Sequence, residues 1–180
     1  MEEQLIRLNL GCGTDIKVGY INLDISPLPG VDIIHNIESL PLPFGDNYFD
    51  EILCNDILEH VDYIPILKDL NRILKKSGVL KVRVPHFSCS SNFIDPTHRR
   101  MFSYRTFDFF LNSPQNQRPY YFDFSFTRVV KIELTFGRKI PYNYLIKPIV
   151  NLHPFMLQVY EDTFLSRLFP CVNILIEIEK

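Results

Sequence analysis

Two short stretches combine residue types that can do chemistry. The first is Gly11-Cys12-Gly13, directly after an apolar run, with Asp24 closing the next apolar run. Glycines let the backbone approach a ligand that a Cβ would exclude. A carboxylate at the tip of the neighbouring strand can accept two charge-assisted hydrogen bonds from ribose hydroxyls. Together they suit a nucleoside-type cofactor. The second stretch is Asp95-Pro96-Thr97-His98-Arg99-Arg100, downstream of Pro85-His86-Phe87. His98 is of a type that exchanges protons near neutral pH and so can act as a catalytic base. Asp95 would orient it, and Arg99 or Arg100 would bind a carboxylate or phosphate on the substrate. The competing reading is that Asp95-Pro96-Thr97 caps a helix at 103–111 and His98 packs there. Glu59 reads as a partner for a positive helix end, His60 is ambiguous, and His86 reads as structural.

Other chemistries are disfavoured. The dinucleotide fingerprint needs a third glycine where Ile16 stands, which speaks against a nicotinamide oxidoreductase. His35, His60, His86, His98 and His153 share no ligand spacing, so no metal site is expected. Cys12, Cys54, Cys89 and Cys171 are scattered without a CxxC pair and read as buried thiols. No P-loop or Ser-His-Asp arrangement occurs. Tyr120-Tyr121-Phe122-x-Phe124-x-Phe126 with Arg118 and Arg128 resembles a base-stacking surface, but the net charge of −2 argues for core or an apolar acceptor pocket instead.

The elements that must position these residues follow from periodicity. Residues 5–10, 20–24, 31–34, 49–54 and 79–85 read as strands, and residues 57–76 as an amphipathic helix with Lys75 and Lys76 in its last turn and Gly78 as its cap. Strands joined through helical segments imply an α/β fold with a mostly parallel sheet. Residues 129–136 and 172–179 alternate as strands and are expected as an antiparallel pair at one edge, with a helix near 155–168 between them. Ligands in such sheets bind beyond the carboxyl ends of the strands, where 11–15, 24 and 54–56 would lie.

The chain of 180 residues reads as one domain, 1–85 holding the cofactor and 86–171 forming an acceptor cap and insertion. It is 46% hydrophobic with a mean hydropathy of +0.00, as expected for a globular protein. No run is apolar enough for a membrane span, and the acidic opening Met1-Glu2-Glu3-Gln4 is unlike a secretory signal, so a cytoplasmic location is expected. Residues 95–150 hold nine basic and four acidic side chains, against eight and thirteen in residues 1–94. The basic middle fits an anionic ligand, or an ordinary solvated face.

The strings Leu8-Asn9-Leu10-Gly11-Cys12-Gly13, Asp24, Leu42-Pro43-Phe44-x-Asp46-x-x-Phe49-Asp50, Leu58-Glu59-His60-Val61 and Leu70-Asn71-Arg72-Ile73-Leu74-Lys75-Lys76-Ser77-Gly78-Val79-Leu80 resemble class I S-adenosylmethionine-dependent methyltransferases, and most closely the small-molecule subgroup called type 11. The resemblance covers residues 5–85. It implies a Rossmann-like methyltransferase fold and S-adenosylmethionine as cofactor. Gly11, Cys12 and Gly13 would pass beneath its methionine and ribose, Asp24 would hold the ribose hydroxyls, Asn36 would lie beside the adenine, and Asn55 near the methionine end. It further implies methyl transfer to a small-molecule acceptor, an anionic metabolite or glycan precursor, with oxygen the favoured atom. Three departures stand out: Asn9 replaces a common acidic residue, the Gly13–Asp24 interval is too short for a crossover helix, and no covering N-terminal helix precedes the first strand. A lid from the second half, or a partner chain in a homodimer, would compensate. The rival reading is a non-catalytic cofactor-binding or partner subunit.

Overall fold

A computed structural model describes residues 5–112, 118, 120–137 and 141–180; the acidic opening lies outside them. Seven strands form one sheet: β1 Arg7–Leu10, β2 Ile21–Asp24, β3 Ile33–Ile34, β4 Phe49–Asn55, β5 Leu74–Pro85, β6 Arg128–Phe136 and β7 Cys171–Glu179. Their order is β3-β2-β1-β4-β5-β7-β6. The first five pair in parallel, and β7 inserts antiparallel between β5 and β6. This is the expected mostly parallel sheet with an antiparallel C-terminal pair at one edge. Strand order reverses between β1 and β4, which opens a crevice at their carboxyl ends.

The central strands are short apolar runs because both faces are covered. Leu8, Leu10, Leu23, Ile52, Leu80 and Val84 are fully buried. The helix α1 Tyr63–Ile73 lays Ile66, Leu67, Leu70 and Ile73 on the sheet. Asp69 lies on that buried side as well and is matched by Arg72, whose Nε donates to it at 2.6 Å. Asp69 also accepts from the Leu42 N–H at 2.8 Å, and Arg72 donates to the Phe44 carbonyl and to Asp46, each at 2.8 Å. The pair therefore clamps the proline-rich loop ahead of β4.

Several element boundaries differ from those read in the sequence. α1 is shorter than 57–76, and Lys75, Lys76 and Gly78 belong to β5 rather than to a helix end. The carbonyls of Arg72 and Ile73 are answered from afar by the N–H groups of Asn47 (3.0 Å) and Tyr48 (2.7 Å), and Leu74 by Lys180 Nζ at 2.8 Å. No glycine cap is needed. The helix expected at 103–111 is a 3₁₀ turn, Thr106–Phe110, and the 155–168 helix is two pieces, α4 Pro154–Asp162 and α5 Leu165–Leu168. Two elements are additional, α2 Ser91–Ile94 and α3 Asn143–Val150. Among the described residues no helix is long and apolar enough to cross a membrane.

Candidate active site

The chain leaves β1 through Gly11 and Gly13, whose φ angles of +62° and +50° lie in the left-handed region that favours glycine. At Gly11 a Cβ would also stand 2.3 Å from the Ile57 side chain, which comes from the turn after β4. The glycine thus lets β1 and β4 close up at the switch point. At Gly13 a Cβ would meet nothing within 4 Å, so the backbone borders open space there. The Gly13 N–H donates to Asp24 Oδ2 and the Ser26 N–H to Oδ1, both at 2.8 Å. Each oxygen of the buried Asp24 carboxylate accepts a single N–H and retains acceptor capacity.

No helix links β1 to β2. The intervening loop is held by two buried amides instead. Asn9 Nδ2 donates to the Asp15 carbonyl (2.8 Å) and to Asn22 Oδ1 (3.0 Å), and Asn22 Oδ1 also accepts from the Lys17 N–H at 2.9 Å. Asn22 Nδ2 donates to the carbonyls of Lys17 and Tyr20 at 3.1 and 3.2 Å. The amide at position 9 and the short crossover are therefore parts of one arrangement: the Asp15 carbonyl needs a donor, and a carboxylate has none.

The remaining residues expected near a cofactor are placed as follows. Cys12 is buried, and burial followed by the Asp24 charge pushes its thiol up, away from reactivity. Asn36 follows β3, but its Oδ1 accepts the Glu38 N–H at 3.0 Å in a local turn. Asn55 ends β4 across the switch point from Gly11. All four cysteines are free and buried.

The second half supplies the other wall. The Glu59 carbonyl accepts from the N–H groups of Arg99 (2.7 Å) and Arg100 (3.3 Å), tying the 95–100 loop to the turn after β4. Asp95 lies 3.7 Å from His98 Nε2 and accepts from the hydroxyl and N–H of Thr97 at 2.6 and 2.9 Å. Those Thr97 hydrogen bonds hold its carboxyl below the usual range. Asp95 does not cap the 3₁₀ turn. Arg99 and Arg100 are exposed, and Arg99 reaches Glu38 at 3.4 Å.

Glu59 precedes α1 by four residues, outside the helix's first turn, and is 1% exposed. Burial pushes its carboxyl up to about 7. The imidazoles of His60 and His98 meet edge to face with centroids 4.7 Å apart. Glu59, His60 and His98 offer ligand atoms that all lie within 4.8 Å of one another. Spacing along the sequence concealed this cluster, because His98 is brought in by the loop after α2.

Glu161 carries no signal in the sequence. It joins buried His86 (Nε2 to Oε1, 3.0 Å), the Tyr104 N–H (2.8 Å) and the Ser103 hydroxyl, and so fastens α4 to the end of β5. His86 Nδ1 accepts from the Ser88 N–H at 3.1 Å, which leaves Nε2–H to donate to Glu161. His86 is fully buried with both ring nitrogens hydrogen-bonded. The aromatic run divides: Phe126 is core, Phe122 and Phe124 pack on Phe110, and Tyr120 and Tyr121 line a surface groove with Ile64 and Lys68.

Residues 8–82 match the family model of the methyltransferase domain. The fold agrees with a S-adenosylmethionine-dependent methyltransferase from Archaeoglobus fulgidus, with a TM-score of 0.60 at 19% identity over 98% of this chain and 86% of that one. The chain has the class I methyltransferase fold. Over 96 residues it is 35% identical to an uncharacterized protein of Methanocaldococcus jannaschii, covering 46% of this chain and 42% of that one. Over 66 residues it is 33% identical to the demethylmenaquinone methyltransferase of Lysinibacillus sphaericus, covering 36% and 27%. The chain thus spans less than half the length of the curated relatives it matches.

Proposed function

We propose that this methyltransferase-fold protein transfers a methyl group from S-adenosylmethionine to a small anionic acceptor, with a hydroxyl oxygen as the favoured site. The observation that carries the reading is the Gly13–Asp24 unit: a backbone turn bordering open space, beside a buried carboxylate with acceptor capacity left for ribose hydroxyls. The residues present fit the cofactor. Gly11, Cys12 and Gly13 would run beneath it, and Asn55 would face its methionine end. Asn36 Oδ1, which accepts the Glu38 N–H, keeps a second lone pair that would take the adenine amine.

The bound cofactor supplies an activated methyl on a good leaving group, so the protein's tasks are orientation and exclusion of water. The acceptor would lie between the β4 turn and the 95–100 loop. His98 would serve there as the base, oriented by Asp95, and the exposed guanidinium groups of Arg99 and Arg100 would hold the acceptor's anionic group. The amide at position 9 and the short first crossover favour a second reading, a binding subunit without turnover.

The test is an acceptor screen that measures S-adenosylhomocysteine release over carboxylated, phosphorylated and neutral hydroxyl compounds. Turnover on an anionic acceptor, with KM raised roughly tenfold in Arg99→Ala or Arg100→Ala, is expected from loss of a charge-assisted contact. Turnover confined to neutral acceptors contradicts the anionic assignment. Cofactor binding without any turnover supports the second reading.

A further inference from the structure

We propose that Glu59, His60 and His98 bind a divalent transition-metal ion of the zinc type. Two imidazoles and one carboxylate are a ligand set that zinc, cobalt and iron(II) accept, and three protein ligands leave coordination positions open. Their ligand atoms lie within 4.8 Å of one another. Around an ion with bonds of roughly 2.1 Å, tetrahedral ligands are about 3.4 Å apart. Side-chain adjustments would close the remaining distance.

Two observations beyond proximity point to a missing ligand. Glu59 is 1% exposed and the His98 side chain 7% exposed. Yet Glu59 Oε2 and His98 Nδ1 are buried with no hydrogen-bond partner among the described residues. Buried polar atoms are satisfied as a rule. A metal ion would satisfy both at once.

The surroundings also fix the state of His60. Asp95 only accepts, so the Thr97 hydroxyl donates to it, at 2.6 Å. The Thr97 oxygen must then accept from His60 Nδ1, at 2.8 Å. This makes His60 the Nδ1–H tautomer and leaves the Nε2 lone pair available to a metal. A ligating histidine usually donates its other ring N–H to a fixed acceptor; here that acceptor is the Thr97 hydroxyl, oriented by Asp95. Asp95 and Thr97 are positioning residues here. The backbone bonds from Arg99 and Arg100 to the Glu59 carbonyl hold the two ligand-bearing segments together.

An open coordination position would accept an oxygen donor of the acceptor and favour its deprotonation, the role otherwise given to His98. That extension rests on the methyl-transfer reading, whereas the metal site does not.

The test is titration of chelator-treated full chain with Co²⁺ and Zn²⁺ in the absence of cofactor, followed by visible absorption and by metal content after dialysis. One equivalent of metal with a Co²⁺ ligand-field spectrum is expected. His60→Ala, His98→Ala and Glu59→Gln should abolish it. Thr97→Val, on an exposed loop, should weaken it about 10–100-fold while leaving the fold intact by circular dichroism. Failure of the wild type to retain metal, or retention unchanged in His60→Ala, His98→Ala and Thr97→Val, would overturn the proposal. Metal uptake by a protein that ignores S-adenosylmethionine would leave the site standing and remove the cofactor reading instead.

Discussion

Replacing the amide of Asn9 by a carboxylate would turn a donor against two acceptors, the Asp15 carbonyl and Asn22 Oδ1. Asn9→Asp is therefore expected to destabilise the protein by about 1–3 kcal/mol, read as a lower denaturant midpoint. A variant as stable as wild type would mean that the loop is held by other contacts. Gly11 is constrained twice, by its φ of +62° and by Ile57. Gly11→Ala should cost roughly 2–4 kcal/mol, combining left-handed strain with overpacking. Adding Ile57→Ala should recover the packing part and leave the backbone part. If the double variant shows no recovery relative to Ile57→Ala alone, Ile57 is not the obstacle.

Among the elements, Glu161 on α4 is expected to hold the second half against the end of β5. Glu161→Ala strands the His86 Nε2–H, the Tyr104 N–H and the Ser103 hydroxyl, and should cost about 2–4 kcal/mol. Glu161→Gln keeps an acceptor and should recover part of it. Faster amide exchange at 103–104 in the alanine variant, with β1 and β2 unchanged, is the accompanying observation. Elements made by local pattern were legible in the sequence: the apolar runs of β1, β4, β5 and β7, and the Leu67, Leu70 and Ile73 positions on the buried face of α1. Those decided by distant partners were not. α1 ends where it does because residues 47–48 and Lys180 answer its carbonyls. Pro148 lies inside α3, and Pro154 opens α4, where a missing N–H costs nothing. The same division applies to the site. Gly11, Gly13 and Asp24 were legible because strand, turn and strand tip are adjacent in sequence. The meeting of Glu59 and His60 with His98 depends on how the loop after α2 packs.

At the scale of the whole molecule, the parallel sheet brings Gly11, Asp24, Asn36 and Asn55 to one edge, and the second half extends its 95–100 loop to the same place. That edge is the one we propose as the cofactor side. The measurement that tests this most directly is calorimetric titration of the protein with S-adenosylmethionine and S-adenosylhomocysteine, beside Asp24→Ala. We expect one site, with affinity reduced at least roughly tenfold in the variant, the scale of a lost charge-assisted hydrogen-bond pair. Binding that is absent in the wild type, or undiminished in Asp24→Ala, would contradict the account.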